Sequence, residues 1–282
     1  MKKILVLILF IAGISLFFTS CKKDNGNPPA LPPAESMDID FSNFVTAKKS
    51  AVLITDFKGV ENSNWEFAAL VAGYWKSIIS ITLAVPVASF KLATNNTPVY
   101  LGSKTWQWSY NASITVNQVS VTYKARLTGQ ILQNDVEWKM YITKEGTGAF
   151  AEFIWFEGTS KLDGTGGQWI LNHSAQFPEP VLQIDWTKSG TSIGTVKYTY
   201  VRALNTNRVA DTFKDSFIEY GKKSAALDAY YTIHYYNGLL FSDVNVEWNT
   251  TSHDGRVSGL GYFGNTDWHC WNSQLVNGTC PQ

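Results

Sequence analysis

A regular alternation of apolar and polar residues runs through the chain from Pro98 onward and constrains its fold more than any other feature. Between Val136 and Thr143, for example, apolar and polar side chains take turns along the chain. Successive side chains of a strand point to opposite faces, so this period predicts antiparallel strands with one buried face. Further segments with equally clean alternation lie at 106–111, 119–128 and 243–248.

Short turn sequences separate these segments from others in which the alternation is less regular. The regular and the less regular segments together predict roughly ten strands. Asn237-Gly238 is one such pair, typical of a tight turn between neighbouring antiparallel strands. Short connections between successive strands favour a meander. Because a twisted sheet of this many strands curls, we expect a mainly β fold, an antiparallel meander curved into a barrel or half-barrel. Residues 211–226 interrupt the pattern and predict a short helix or a long loop.

One long apolar helix is predicted near residues 63–92 and is expected to pack against the sheet. Ser63 and Glu66 match the S-x-x-E capping box that begins many helices. The apolar residues that follow cover nearly the whole helix surface, which is typical of a helix that is buried or lies in a membrane. Because Glu66 and Lys76 lie within this run, burial against the sheet is the favoured interpretation. Pro86 is expected to kink or end the helix.

The N-terminus has the pattern of a lipoprotein signal peptide. Basic residues at positions 2 and 3 precede an apolar run of about 15 residues, shorter than the roughly 20 that span a bilayer. The run ends in Thr-Ser followed by Cys21. We therefore expect residues 1–20 to be removed and Cys21 to be the lipidation site, with acyl chains that hold the protein on the membrane.

The remaining chain divides into a tether and a domain. Residues 21–38 are predicted to form a lipidated tether, because they contain four prolines and almost no large apolar side chains. Residues 39–282 are predicted to form a single β-rich domain that includes the helix.

The two cysteines after Cys21 are predicted to form a disulfide between Cys270 and Cys280. They are close in sequence, and a protein with a secretory signal enters an oxidising compartment. A metal site using His269 and Cys270 is the alternative, but these adjacent residues lack a second Cys/His pair at zinc spacing. We expect no metal site and no cofactor.

Composition and motifs indicate neither nucleic-acid binding nor catalysis. The chain has 23 basic and 23 acidic residues, so no net charge favours a nucleic acid. The segment 190–194 matches the G-x-S-x-G motif of hydrolases. That motif needs a helix after the serine, whereas strand-like sequence follows here, so a hairpin turn explains it. We predict no catalytic residues and a protein that is not an enzyme.

Aromatic residues make up 14% of the chain and supply the candidate ligand-binding residues. Trp106, Trp108 and Tyr110 share one face of a predicted strand, and Trp268 and Trp271 lie near the C-terminus. Tyrosines also crowd a second predicted strand, at 230, 231, 235 and 236. Packing in a β core is the first explanation of such residues. The alternative is a ligand surface, either an apolar cavity for a lipid or a platform on which sugars stack.

Motifs along most of the chain after the predicted tether carry a family resemblance. They are TLAVPVASF (82–90), TPVYLGSKTWQWSYN (97–111), VEWKMYITKEG (136–146), LDGTGGQW (162–169) and WHCWNSQL (268–275). In these motifs the chain resembles uncharacterised lipid-anchored, lipobox-containing proteins of Bacteroidota. The resemblance implies an outer-membrane lipoprotein on the periplasmic or the surface side of the cell envelope, and it implies no reaction and no site residues.

The leading functional hypothesis is a non-enzymatic envelope protein that binds a lipid or another hydrophobic ligand. Its expected partners are the membrane, through the acyl chains on Cys21, and that ligand. The apolar helix, the aromatic strand faces and the single meander support this hypothesis. The alternatives are a surface module that binds glycans and a structural or partner-binding envelope protein.

Overall fold

The computed structural model describes residues 26–44, 63–116 and 119–280. Cys21 and the predicted signal peptide lie outside the described residues, so the lipidation site stays a prediction. The described helices are α1 (Asn64–Ala93) and α2 (Leu260–Phe263), and 3₁₀ turns lie at Ala34–Met37 and Ser42–Phe44. The strands are β1 (Val99–Gly102), β2 (Thr105–Val116), β3 (Val119–Ile131), β4 (Asp135–Lys144), β5 (Phe150–Lys161), β6 (Gly166–Asn172), β7 (Pro180–Ser189), β8 (Ser192–Tyr200), β9 (Phe217–Lys222), β10 (Ala229–Tyr236), β11 (Phe241–Trp248), β12 (Gly255–Ser258), β13 (His269–Trp271) and β14 (Asn277–Gly278).

All 14 strands form one antiparallel sheet, in which each strand pairs with the next along the chain. The predicted mainly β meander is therefore confirmed. Of the two predicted forms, barrel or half-barrel, the closed barrel is wrong, because β1 and β14 are the two edges of the sheet and do not pair with each other. A closed barrel needs a continuous hydrogen-bond ladder between its first and last strands. Strand β14 has only 2 residues and is too short to form such a ladder.

The sheet has more strands than the alternation predicts. The additional ones include β13 and β14, with 3 and 2 residues, which are too short for an alternating pattern to be recognised. The segment 211–226 also differs from its prediction, because it contains strand β9.

One face of the sheet is buried, as the alternation predicts. In β4 every second residue is almost inaccessible to solvent: Val136 is 2% exposed, and Trp138, Met140 and Ile142 are fully buried. The intervening side chains of this strand are partly exposed. The buried face carries large aromatic side chains from many strands, and these form most of the core.

Helix α1 begins as its sequence predicts. The Ser63 hydroxyl accepts the backbone N–H of Glu66 at 3.2 Å, and the Glu66 carboxylate accepts the backbone N–H of Ser63 at 2.8 Å. This reciprocal capping box satisfies donors that the first helical turn leaves free.

The prediction of one long apolar helix needs correction. Helix α1 bends by 61° between its segments 64–80 and 82–93, so it consists of two shorter helices. Pro86 explains the bend, because it lacks the N–H that would bond to Thr82 four residues earlier and its ring crowds that carbonyl. Thr82 adds to this by donating its hydroxyl to the Ile78 carbonyl at 2.8 Å. Among the described helices, none is by itself long and apolar enough to cross a membrane.

Helix α1 covers the buried face of the sheet. It contacts β2 and β3 near one edge of the sheet and β12 and β13 near the other. Its second segment packs Phe90 against Phe156 and Trp169, with ring centroids 6.0 Å and 5.4 Å away. The helix therefore supplies the second layer of the core.

Part of the segment predicted as a tether belongs to the domain. Ser36 is fully buried and Met37 is 1% exposed. The indole N–H of Trp169 donates to the Ser36 hydroxyl at 3.1 Å. Further along, Phe44 packs edge-on to Trp248 with centroids 5.0 Å apart. The predicted boundary at residue 38 is thus too late, because a few well-spaced apolar side chains suffice to dock this segment on the sheet.

The predicted disulfide is present. The Sγ atoms of Cys270 and Cys280 are 2.12 Å apart, and the bridge closes a loop with a sequence separation of 10. It ties the end of the described chain to β13.

Candidate ligand-binding pocket

An aromatic pocket of about 210 Å³ lies between α1 and one end of the sheet, partly open to solvent. Its lining residues are Tyr74, Trp75 and Ile78 from α1, Tyr200 from β8, and Tyr235 and Tyr236 from β10. Phe213 and Ser216, from the connection between β8 and β9, complete the wall.

The topology explains why these residues meet. In a meander, alternate strands run in the same direction, so the last residues of β8 and β10 lie at the same end of the sheet. Tyr74 and Ile78 are four residues apart and share one face of α1. The connection after β8 folds back on the strand, since Tyr200 N–H donates to the Ser216 carbonyl at 2.8 Å.

The pocket wall is mostly apolar but includes a few polar atoms. The Trp75 indole N–H and the Ser216 hydroxyl are buried and have no hydrogen-bond partner among the described residues. Tyr200 donates its hydroxyl to Asp211 at 2.9 Å. Burial is the main reason that the pKa of Tyr200 rises to about 12, and the hydrogen bond to Asp211 adds to it. This phenol is therefore neutral at physiological pH and can act as a donor.

Exposed apolar side chains surround this end of the sheet. Leu239 and Leu240 lie three and four residues after Tyr236, in the turn to β11, and they are 87% and 59% exposed. Phe213 is 43% exposed. Clusters of large exposed apolar residues mark ligand-binding grooves and interaction surfaces more often than isolated ones do.

The sequence-predicted ligand residues lie elsewhere. Trp106 and Trp108 are 4% and 3% exposed and belong to the core, and Tyr110 donates its hydroxyl to the Ser89 carbonyl at 2.5 Å. Trp271 is 3% exposed, and its N–H donates to the His253 carbonyl at 2.8 Å. The guanidinium of Arg256 lies over the ring of Trp268, 4.3 Å from the centroid. The structure does not unite these residues, because β2 and β13 lie near opposite edges of the sheet.

The described residues contain few elements of catalytic or metal chemistry. No group of three or more His, Cys, Asp or Glu side chains within them is close enough to hold a metal ion. His234 instead contacts Asp243 at 2.7 Å, and His253 contacts Asn43 at 2.6 Å. Ser192 of the G-x-S-x-G match begins β8 in the hairpin after β7, so no helix follows it, as the sequence predicts.

Sequence reasoning missed the pocket itself. The crowding of tyrosines at Tyr235 and Tyr236 was the one signal that pointed to it. Tyr200 lines the pocket because of strand pairings that no local pattern reveals.

The architecture defines the class of this protein as a single open antiparallel meander, with a bent helix on its buried face and an aromatic pocket at one end. Comparison of the chain with protein-family models, with curated proteins and with solved structures finds no match.

Proposed function

We propose that this protein is a lipid-anchored outer-membrane protein that binds a small hydrophobic ligand in the aromatic pocket between α1 and β10. It acts without catalysis, on the periplasmic or the surface side of the envelope. The observation that carries the proposal is the pocket wall, in which six of the eight lining side chains are aromatic.

The volume of the pocket limits the size of the ligand that it can hold. An apolar protein cavity of about 150 Å³ stays dry when empty and binds benzene. The present pocket, at about 210 Å³, suits one aromatic ring or a short alkyl segment. Typical sites for larger ligands occupy about 300–1,000 Å³. A long acyl chain would extend beyond the pocket, over the exposed apolar side chains around Leu239.

The proposed architecture explains why the pocket is small. Helix α1 contacts strands near both edges of the sheet. We infer that the sheet curves into a half-barrel around α1, which together with residues 31–44 fills its concave face. The hydrophobic ligand then binds at the end of this filled half-barrel, next to the bend in α1.

The proposed location follows from the N-terminal sequence. The signal-peptide pattern ends at Cys21, which leaves only a short segment before the packed residues that begin near Leu31. Acyl chains on Cys21 would hold the domain close to the membrane.

Glycan binding receives less support as an alternative. It needs exposed aromatic faces, whereas Trp106, Trp108 and Trp271 are buried. The face of Trp268 is covered by Arg256.

Fluorine NMR of fluorobenzene, titrated into the full-length protein in amphipol, tests the proposal. Wild type should bind the probe saturably. Ile78→Trp should fill the pocket and weaken binding by at least about tenfold, since it removes most of the contact area. Leu101→Trp is the control, because Leu101 is 55% exposed and lies on β1. Non-saturable binding to wild type, or equal binding to Ile78→Trp and wild type, would refute the proposal.

A further inference from the structure

Arg202 is a buried cation whose hydrogen-bonding capacity is only partly used. The residue is 7% exposed, and its Nε and Nη2 atoms have no hydrogen-bond partner among the described residues. Burying charged N–H groups without a partner is costly, so such groups are normally matched by an anion. Nε and Nη2 form one edge of the planar guanidinium, and this edge can bind both oxygens of a carboxylate.

This cation lies just behind the wall of the aromatic pocket, next to Tyr200. Val196 and Tyr198 are buried on the inner face of β8, and Tyr200 and Arg202 continue the same face at two-residue spacing. The backbone stays extended past the strand, since Val201 N–H donates to the Val181 carbonyl at 3.0 Å. The guanidinium lies beside the hydroxyl of Tyr200, which lines the pocket.

The carboxylates near Arg202 are engaged elsewhere. Glu179 pairs with Arg208 at 3.0 Å. Asp211 accepts the Tyr200 hydroxyl at 2.9 Å and the backbone N–H of Phe213 at 3.1 Å. Neither carboxylate bonds to Nε or Nη2 of Arg202.

His173 lies near Arg202 but is not a counter-ion for it. Burial lowers its pKa, and the charge of Arg202 lowers it further. The imidazole is therefore neutral at pH 7, and no carboxylate of the described residues bonds to the Nε or Nη2 atom of Arg202.

We propose that the pocket takes a small hydrophobic carboxylic acid, whose carboxylate binds the Nε–Nη2 edge of Arg202 and whose apolar body packs against Trp75 and Tyr235. This inference rests on the proposed function and names its ligand class. The Ser216 hydroxyl, a buried group of the pocket wall without a partner, is a further donor for the bound acid. The acid completes hydrogen bonds that the described residues leave open.

A comparison of phenylacetate with phenylacetamide, by calorimetry on the full-length protein in amphipol at pH 7, tests the inference without any variant. The two probes have the same ring and nearly the same shape, and only the first is an anion. A charge-assisted pair should make phenylacetate bind about tenfold to a hundredfold more tightly. Equal affinities would overturn the inference while leaving the proposed function standing. If neither probe binds and fluorobenzene also fails, the proposed function falls as well.

Single-residue variants then test whether Arg202 is the cause of tighter binding of phenylacetate than of phenylacetamide. In Arg202→Gln, the affinity for phenylacetate should drop to that for phenylacetamide, with phenylacetamide binding unchanged. Arg126→Gln is the matched control, because Arg126 lies on β3, is not one of the pocket-lining residues and pairs with Glu152 at 2.6 Å. Equal loss in both variants, or retained acid preference in Arg202→Gln, would overturn the assignment. Should Arg202→Gln fail to fold, Ser216→Ala should weaken phenylacetate binding selectively, and an unchanged preference there would count against the inference.

Discussion

Gly129 on β3 lies directly against the indole ring of Trp138 on β4, so close that a methyl group at Gly129 would come within 2.5 Å of the ring. The two residues are opposite each other in the ladder. Trp138 is fully buried, and its N–H donates to the Ser160 hydroxyl at 2.9 Å. The indole ring cannot move away without losing this hydrogen bond. Position 129 therefore has no room for a side chain larger than that of glycine.

Gly129→Ala should therefore lower the free energy of unfolding by about 1–3 kcal/mol, the usual cost of overpacking a core. Gly73→Ala is the control, since Gly73 lies within α1 and a methyl group there meets no atom within 4 Å. That change should stabilise the protein by about 1 kcal/mol through helix propensity. Urea unfolding measures both, and a neutral Gly129→Ala would contradict the packing described.

The Cys270–Cys280 bridge should stabilise the domain. It closes a loop with a sequence separation of 10, for which chain entropy predicts about 2–3 kcal/mol. The double variant Cys270→Ser/Cys280→Ser should lose this amount in urea unfolding. Thiol labelling of the denatured, unreduced protein should modify neither cysteine, and labelling after reduction is the positive control. Labelling of either residue before reduction would contradict the bridge.

Glu247 should make the stability depend on acidic pH. Burial by itself would raise the pKa of this carboxylate, but hydrogen bonds from Lys223 and Arg256 outweigh it and lower the pKa below 4.5. A lowered native pKa gives stability that is present above the unfolded pKa and is lost as the pH falls through the native one. Glu247→Gln should therefore flatten the decline in unfolding free energy below about pH 4.5.

Glu145→Gln is the control for that experiment. The Glu145 side chain is 69% exposed and pairs only with Lys124 on the surface, so its removal should leave the pH profile unchanged. Urea unfolding across this pH range separates the two variants. Identical profiles for Glu247→Gln and wild type would show that the Glu247 ion pairs contribute no pH dependence.

Cys21→Ser should release the folded protein from the membrane fraction. The acyl chains on Cys21 are the proposed anchor. Fractionation of cells that express each form provides the measurement, with Ser20→Ala as the control for a neighbouring change. A Cys21→Ser protein that has lost residues 1–20 and still remains in the membrane fraction would contradict the proposed anchor.

The sequence predicted those helices and strands that are determined by residues close together in the chain. The two-residue period located β4 and its buried Trp138 and Met140, because a half-buried strand imposes that period by itself. The capping box at Ser63 located the start of α1 for the same reason. The bend that Pro86 imposes was also foreseeable, although it divides the helix rather than ending it.

The features that the sequence concealed depend on contacts between distant residues. Met37 and Phe44 follow a proline-containing segment, and their docking against α1 and the sheet buries them. Arg202 looks like an ordinary loop residue, and its burial arises where the β8–β9 connection folds against the sheet. The short strands after β11 are stabilised by antiparallel pairing, each with the strand before it.

The proposed function depends most on the occupancy of the aromatic pocket. Crystals of the full-length protein soaked in 4-bromophenylacetate, measured at the bromine absorption edge, test it directly. We expect an anomalous bromine peak among Trp75, Ile78 and Tyr235, with the carboxylate on Arg202. A bromine peak only at other sites, or no peak at a concentration that saturates binding in solution, would contradict ligand binding in this pocket.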